Sequence, residues 1–306
     1  MTDVLASFLV CPRCQGTLAV AEPGVRCARC EVTFPVYNGI PRMTDGAEER
    51  DERMAAEWRA QAHARPQYTD QASVMNRWEE QVLPQLVSRL GDVQGPILDV
   101  GCGVGHLGNA LTAMGRNDID LFGIDFQRDL LDEAHAGYAG LVEADVHHLP
   151  IRSDTFGAAI ASNSLHHFPD PERAMVEIAR VLRPGGVLVA YDPRFVTPLE
   201  KLKKVLRRND RAFTEEHKAF RIDEYRELLG SSGLTVIEVR TVDPVGPLVA
   251  TGLDYLRFGR LGVAGLVAKS LVTVDGLFAG AGGQTPLGLM LAGRAVKPPT
   301  PPAGRQ

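Results

Sequence analysis

Apolar residues fall along this chain in blocks whose spacing alternates between that of helices and that of buried strands. Trp78, Val82, Leu86 and Leu90 recur every four residues, which predicts a helix over 74–90 with one buried face. Pro84 lies inside it and should kink it or begin a second helix, because proline lacks the N–H and crowds the preceding turn. Gly91 ends the pattern. Ile97, Leu98 and Val100 then form the short apolar run of a strand buried on both faces. The run breaks at Gly101, Gly103 and Gly105, and a helical stripe resumes at Leu107, Ala110 and Leu111. The alternation continues with strands at 120–125, 140–145, 157–163, 187–191, 236–239 and 286–293. Helices are predicted between them at Leu130, Leu131 and Ala134, at Ala174, Ile178, Val181 and Leu182, and over 222–229. Asp170 followed by Pro171 reads as an N-cap and first helical residue, and Pro184-Gly185-Gly186 as the stop before the fifth strand. Strands alternating with helices predict an α/β fold around a largely parallel sheet.

The glycine turn at 101–105 supplies the first candidate chemistry. Glycines after a buried strand let the backbone approach a ligand and turn a helix N-terminus toward it. A dinucleotide fingerprint has the order G-x-G-x-x-G; here the third glycine comes one residue early and His106 stands in its place. Asp99 lies inside the strand, where a carboxylate would repel a pyrophosphate. Two further acids end the next strands. Asp125 follows Gly101 by 24 residues, near the roughly 20 at which a carboxylate reaches a ribose hydroxyl, and Phe126 is beside it. An aspartate there can equally cap the following helix. Asp145 ends the third strand, with Val146 after it and then His147 and His148, read as capping or solvated residues.

The first 43 residues carry a separate pattern. Cys11-Pro-Arg-Cys14 and Cys27-Ala-Arg-Cys30 are two C-x-x-C knuckles with twelve residues between them. Each puts two thiolates on one side of a tight turn, and two facing turns make a closed four-cysteine zinc site. A core this small needs a metal to fold. A redox pair or an iron–sulfur cluster lacks the surrounding pattern. Four cysteines leave no open position, so the metal is structural.

Asp99-Val-Gly-Cys102-Gly-Val-Gly resembles motif I of the class I S-adenosylmethionine (SAM) dependent methyltransferases. So do the blocks that follow it: the acidic strand end, Ala144-Asp145 leading to Leu149-Pro150, Ser162-Asn163-Ser164-Leu165-His166-His167, and Leu182-Arg-Pro-Gly-Gly186. Together 97–193 is similar to the ubiquinone and sterol methylating enzymes. The resemblance implies a Rossmann-like seven-stranded sheet with its last strand antiparallel beside the fifth. It also implies SAM held by Asp99, Gly101, Cys102, Gly103, Gly105, Asp125, Phe126, Asp145, Val146 and Asn163. Cys102 is small enough for the turn and needs no thiol role. Asn163 and Ser164 should lie beside the methyl group. His166 and His167 are candidate bases, imidazole titrating near neutral pH, although the pair could instead fix its loop. Residues 5–43 resemble zinc ribbons of the Trm112 type, which accompany methyltransferases acting on RNA or protein.

These readings divide the chain into a zinc ribbon (1–43), a charged linker (44–73), a methyltransferase domain (74–297) with inserts at 194–232 and 243–285, and a Pro-rich tail (298–306). Trp58 and Trp78 are expected to pack on the large domain. Lys201 to Arg211 holds six basic residues with one acid, Asp210, a solvated amphipathic helix or a phosphate contact. His217 nearby is an outside candidate base. The 243–285 insert is unusually apolar and is expected to form two short helices over the strand ends, as a lid on an apolar substrate, extra core packing, a dimer interface or a membrane contact. Composition changes little. With 306 residues, 44% hydrophobic, 23% charged and a net charge of −5, the chain reads as a soluble globular protein, without the basic surplus of a dedicated nucleic-acid binder. Neither a signal peptide nor a spanning segment is evident, so the cytoplasm is expected. The reading is therefore a methyltransferase acting on a small or lipid-like acceptor. An RNA methyltransferase using the ribbon, or a non-enzymatic ribbon protein on a SAM-binding fold, stands as the alternative.

Overall fold

The computed structural model describes residues 3–44, 73–196, 219–256, 258–278 and 285–299. The chain opens with α1 (Asp3–Phe8) and a four-stranded antiparallel ribbon, β1 (Leu18–Ala21), β2 (Gly24–Cys27), β3 (Thr33–Tyr37) and β4 (Ile40–Pro41). The large sheet follows, entered by α2 (Val74–Ser88). Its elements are β5 (Ile97–Val100), α3 (His106–Ala113), β6 (Leu121–Asp125), α4 (Arg128–Leu131), β7 (Gly140–Glu143), β8 (Phe156–Ser162), α5 (Pro171–Val181), β9 (Leu182–Pro193), α6 (Ile222–Gly230), β10 (Thr235–Val242), α7 (Gly246–Tyr255), α8 (Ala264–Leu277) and β11 (Met290–Val296). The spatial order is β10-β11-β9-β8-β5-β6-β7. Strands β7, β6, β5, β8 and β9 run parallel, while β11 is antiparallel to both β9 and β10. The chain leaves β5 toward β6 and β7, then crosses back to β8. The crevice at the carboxyl ends of β5 and β8 is therefore the switch point where ligands bind in open α/β sheets.

Alternate side chains of each strand feed two cores. Leu98, Val100, Phe122, Ile124, Ala159 and Leu188 face α5 and α6, while Ile97, Leu121, Ala158, Ile160 and Val189 face α2, α3, α7 and α8. Several elements differ from their sequence reading. β7 stops at Glu143, so Asp145 lies two residues past it, and β10 runs over Thr235–Val242, not 236–239. α2 runs unbroken through Pro84; its buried face, Trp78, Val82, Leu83, Leu86 and Val87, is held by the core on both sides of the proline. β9 begins at Leu182, not 187, because Phe156 pairs with Leu182 before the register shifts around the Pro-Gly-Gly excursion. The last strand begins at Met290, not 286; Pro286 to Leu289 forms the turn into it.

The insert forms two helices joined by a 3-10 turn at Phe258–Leu261. Their inward residues Ala250, Ala264, Ala268 and Leu271 pack with α2 and bury Trp78 completely. Two carboxylates, one on each helix, lock the arrangement. Asp254 accepts from Ser73 Oγ at 2.7 Å and from the Val74 and Met75 amides that start α2. Asp275 accepts from the Val245 and Gly246 amides that start α7, and from Trp78 Nε1 at 3.4 Å. Trp58, the charged run from Glu48 to Arg53, the Lys201–Arg211 stretch, His217 and the tail from residue 300 lie outside the described residues.

The ribbon shares the core of the large sheet. Phe8 meets Phe122 and Phe156 edge-on, with ring centroids 4.8 and 5.4 Å away. Leu9 bridges Ile151, and the Met43 amide donates to the Glu143 carbonyl at 2.7 Å. Arg42 pairs with the Glu143 carboxylate at 3.2 Å, so the ribbon lies along the outer edge of β7. Removing the ring in Phe8→Ala should cost about 3–5 kcal/mol, as for other buried aromatics. We expect the melting temperature of the whole protein to fall in one transition. A loss confined to the ribbon, with the large sheet melting as before, would disprove the shared core.

Candidate active site

β5, β6, β8 and β9 deliver carboxylates and amides to the same crevice. Asp99, one residue before the end of β5, is buried and accepts from Tyr138 Oη at 2.5 Å. Burial pushes its carboxyl up to about 7, against the opposing effect of the tyrosine. Gly101 follows with φ +72°, and a Cβ there would come within 2.8 Å of the Ser164 Cβ. Only glycine meets both demands. Gly105, also left-handed, is the N-cap of α3 and offers no side-chain cap; in the first turn the Gly108 amide turns to the Tyr138 oxygen. The Cys102 thiol points inward, buried with Leu131, Ala134 and Leu141; only its backbone belongs to the loop.

Asp125 fastens this loop from the end of β6. One oxygen accepts from the Gly103 amide at 2.9 Å, the other from the Gln127 amide at 2.8 Å. The helix that follows has Gln127 as its N-cap, whose own side chain makes no capping bond. Burial raises the Asp125 carboxyl, with those amides opposing it. Phe126 is the residue between these two contacts. Asp145 caps the 3-10 turn at Val146–His148, accepting from the His147 amide at 2.9 Å and its Nδ1 at 2.6 Å. Burial favours its neutral form, but the His147 bonds outweigh that and lower its pKa. His148 contacts Arg173; the cap of this turn is Asp145, and His147 is held by it, not itself a cap.

The fourth strand ends in a strained turn. Asn163 has φ +51°, costly for a residue with a side chain, and its Nδ2 donates to Glu79 Oε1 at 3.1 Å. Ser164 beside it is buried, and its hydroxyl has no partner among the described residues. An orphaned hydroxyl packed on a glycine that tolerates no Cβ is what a bound ligand group would complete. His166 then turns back to β9. Its Nδ1 donates to Asp192 at 2.8 Å and its amide to the same oxygen at 3.1 Å. Asp192 is fully buried, and its second oxygen accepts from Tyr225 Oη of α6 at 2.8 Å. The His167 ring lies against that of His166, with centroids 3.8 Å apart and planes tilted by 39°.

Three of these groups were not found from sequence. Asp192, Tyr225 and Glu79 lie 26, 33 and 84 residues from their partners. Glu79 comes from the exposed-looking side of the α2 stripe, and burial raises its carboxyl while His106 and His166 pull it down. His106 bonds Glu80 at 3.3 Å; burial lowers its pKa but the two glutamates more than restore it.

The methyltransferase domain model of the Methyltransf_11 family matches residues 98–190, from β5 to β9. Methyltransferase GfsG of Streptomyces halstedii is 32% identical over 200 residues, covering 60% of this chain and 71% of that protein. The chain belongs to the class I SAM-dependent methyltransferases. O-methyltransferase rstn1 of Aspergillus nomiae is 31% identical over 186 residues, 56% of this chain and 78% of that protein. O-methyltransferase resE of Aspergillus sclerotiorum is 28% identical over 211 residues, with 64% and 75% covered. The matched stretch carries the glycine loop, Asp99 inside β5, Asp125 at the end of β6 and Asp145 just past β7. It is the crevice at β5 and β8, bounded by those acids, that is suited to a cationic nucleoside.

The four thiols of the ribbon also converge. The Sγ atoms of Cys11, Cys14, Cys27 and Cys30 all lie within 4.8 Å of one another, with Cys11–Cys30 and Cys14–Cys27 each at 3.5 Å. Four sulfurs at the ~2.3 Å bonds of tetrahedral zinc stand at similar separations. A Cβ on Gly16 would fall 3.2 Å from both Cys14 Sγ and Cys27 Sγ, so the site is lined by bare backbone. The Cys30 and Arg29 amides point at Cys27 Sγ and lower that thiol to about 6. No described helix is long and apolar enough to cross a membrane.

Asp99 gives this site a measurable signature. The native carboxyl keeps its proton up to about 7, while an unfolded aspartate releases it near 4. The associated stability is present in full below the unfolded pKa and is lost as pH rises through about 7. Asp99→Asn keeps the shape and cannot ionise. Its melting temperature, without ligand, should therefore gain on the wild type between about pH 4 and 7 and hold level above that. Parallel curves would show that Asp99 ionises normally.

Proposed function

We propose that this chain methylates a hydroxyl oxygen of a small or lipid-like acceptor, with His166 as the base. The observation that carries this is the Tyr225–Asp192–His166 chain of hydrogen bonds, set beside the turn of Asn163 and Ser164. Two of the relatives are themselves named O-methyltransferases. When bound, SAM supplies a methyl group on a sulfonium, transferred by in-line displacement. Asp99 and the glycine loop at Gly101, Cys102, Gly103 and Gly105 would hold its amino-acid end. Asp125 and Phe126 would face the ribose, and Asp145 with the Val146 amide the adenine. Asn163 would face the methyl group. The enzyme's remaining work is alignment and proton removal. Asp192 fixes the proton on Nδ1 of His166, making Nε2 the basic nitrogen, and its burial opposes rotation of the ring. His167, whose ring lies against it, limits its swing.

We further assign structural zinc to Cys11, Cys14, Cys27 and Cys30. Four thiolates close the coordination shell and leave the metal no part in the chemistry. Because Phe8, Leu9 and Met43 belong to the core of the sheet, chelation should lower the melting temperature of the entire protein. A chain indifferent to chelators would remove the zinc assignment.

Three measurements test the enzymatic reading. Asp125→Asn should weaken SAM binding in calorimetry by about 10- to 100-fold, the worth of charge-assisted hydrogen bonds; unchanged affinity would show the ribose contact to be misplaced. Labelled methyl transfer from SAM into fractionated lysate should appear in the organic extract, and label in RNA or protein would overturn the acceptor class. His166→Ala should lose most of that transfer while its SAM affinity stays at the wild-type value. An unchanged rate in this variant removes the base.

A further inference from the structure

We propose that the connection between α7 and α8 docks on an anionic lipid surface. Single exposed leucines are ordinary on any protein. Here Leu256, Phe258, Leu261 and Leu266 are 77%, 38%, 69% and 70% exposed within eleven residues, which concentrates apolar surface at one turn. The 3-10 turn packs against both helices, and both helices pack on α2. The apolar tip is therefore carried on a braced support and needs no unfolding to meet an interface.

Charge decides what covers it. Between residues 244 and 289 the sequence holds three cations, Arg257, Arg260 and Lys269, and two acids, Asp254 and Asp275. Both acids are turned inward, spent on the starts of α2 and α7. Arg260 and Lys269 are exposed. The outer face is thus apolar and cationic, in a chain whose net charge is −5. A second copy would fit it poorly. A two-fold contact sets the patch against itself, bringing cations together with no carboxylate opposite. A lipid surface offers both partners at once, acyl chains for the leucines and phenylalanine and phosphates for the cations.

The test is co-sedimentation of the full chain with phosphatidylcholine vesicles, with and without phosphatidylglycerol. Binding is expected with phosphatidylglycerol, weakening as salt rises. The double variant Leu261→Glu, Leu266→Glu changes only exposed positions, so its melting temperature and SAM affinity should match the wild type. Its partition onto the anionic vesicles should fall about tenfold or more. No vesicle binding by the wild type, or equal binding by the variant, would overturn the proposal. A dimer in sedimentation velocity that the same variant abolishes would overturn it too, assigning the surface to a second copy. A tryptophan at 261 (Leu261→Trp) adds a direct reading. Its emission should shift to the blue on phosphatidylglycerol vesicles, and an unshifted spectrum on bound protein places the contact elsewhere.

Discussion

Carboxylates buried at one end of a parallel sheet are costly unless each is satisfied, and the architecture of this crevice follows from how each one is. Asp99 takes the Tyr138 hydroxyl, Asp125 takes two loop amides, and Asp192 takes an imidazole and the Tyr225 hydroxyl. In satisfying Asp125 the glycine loop acquires its shape, since Gly103 is pinned to the neighbouring strand. In satisfying Asp192 the loop after β8 is drawn back across the sheet, and His166 receives a single orientation. None of the three has a lysine or arginine bonded to it among the described residues. A cationic ligand is therefore left to supply the positive charge that would draw the proton from Asp99 and hold these acids ionised.

What could be read from the chain was what neighbouring residues encode. The glycine turn, the acids Asp99, Asp125 and Asp145 in or just after β5, β6 and β7, the N-cap Asp170 and the two cysteine knuckles all announce themselves within a few positions. Asp170 does accept from the Arg173 amide, and Pro171 does open α5. Legibility failed where a residue's role depends on a partner far along the chain. Asp192 looks like an unremarkable strand-end acid until His166 is seen against it. Glu79 sits between Trp78 and Glu80 in a helix whose period gives no sign that it faces Asn163. Pro84 misled for a related reason: the local rule predicts a break, but Trp78 and Val82 before it and Leu86 and Val87 after it are buried in one core that holds the helix straight through.

The apolar insert shows the same division. Its composition signalled two helices, and two helices are present. Composition could not show that Ala250, Ala264, Ala268 and Leu271 would turn inward while Leu256, Leu261 and Leu266 turned out. That sorting is set by the small residues, which let α7 and α8 approach α2 closely, and by Asp254 and Asp275, which bond to the first turns of α2 and α7 and so fix which side faces in.

The ribbon's place along β7 bears on how this protein can associate. A sheet edge is where another chain can add a strand, and Arg42 and Met43 already occupy this one through Glu143. The occupant is covalently attached, so it competes at an effective concentration that no freely diffusing protein reaches. An outside strand seeking β7 must first displace a tethered one, leaving β10, at the opposite side, as the edge more open to a partner.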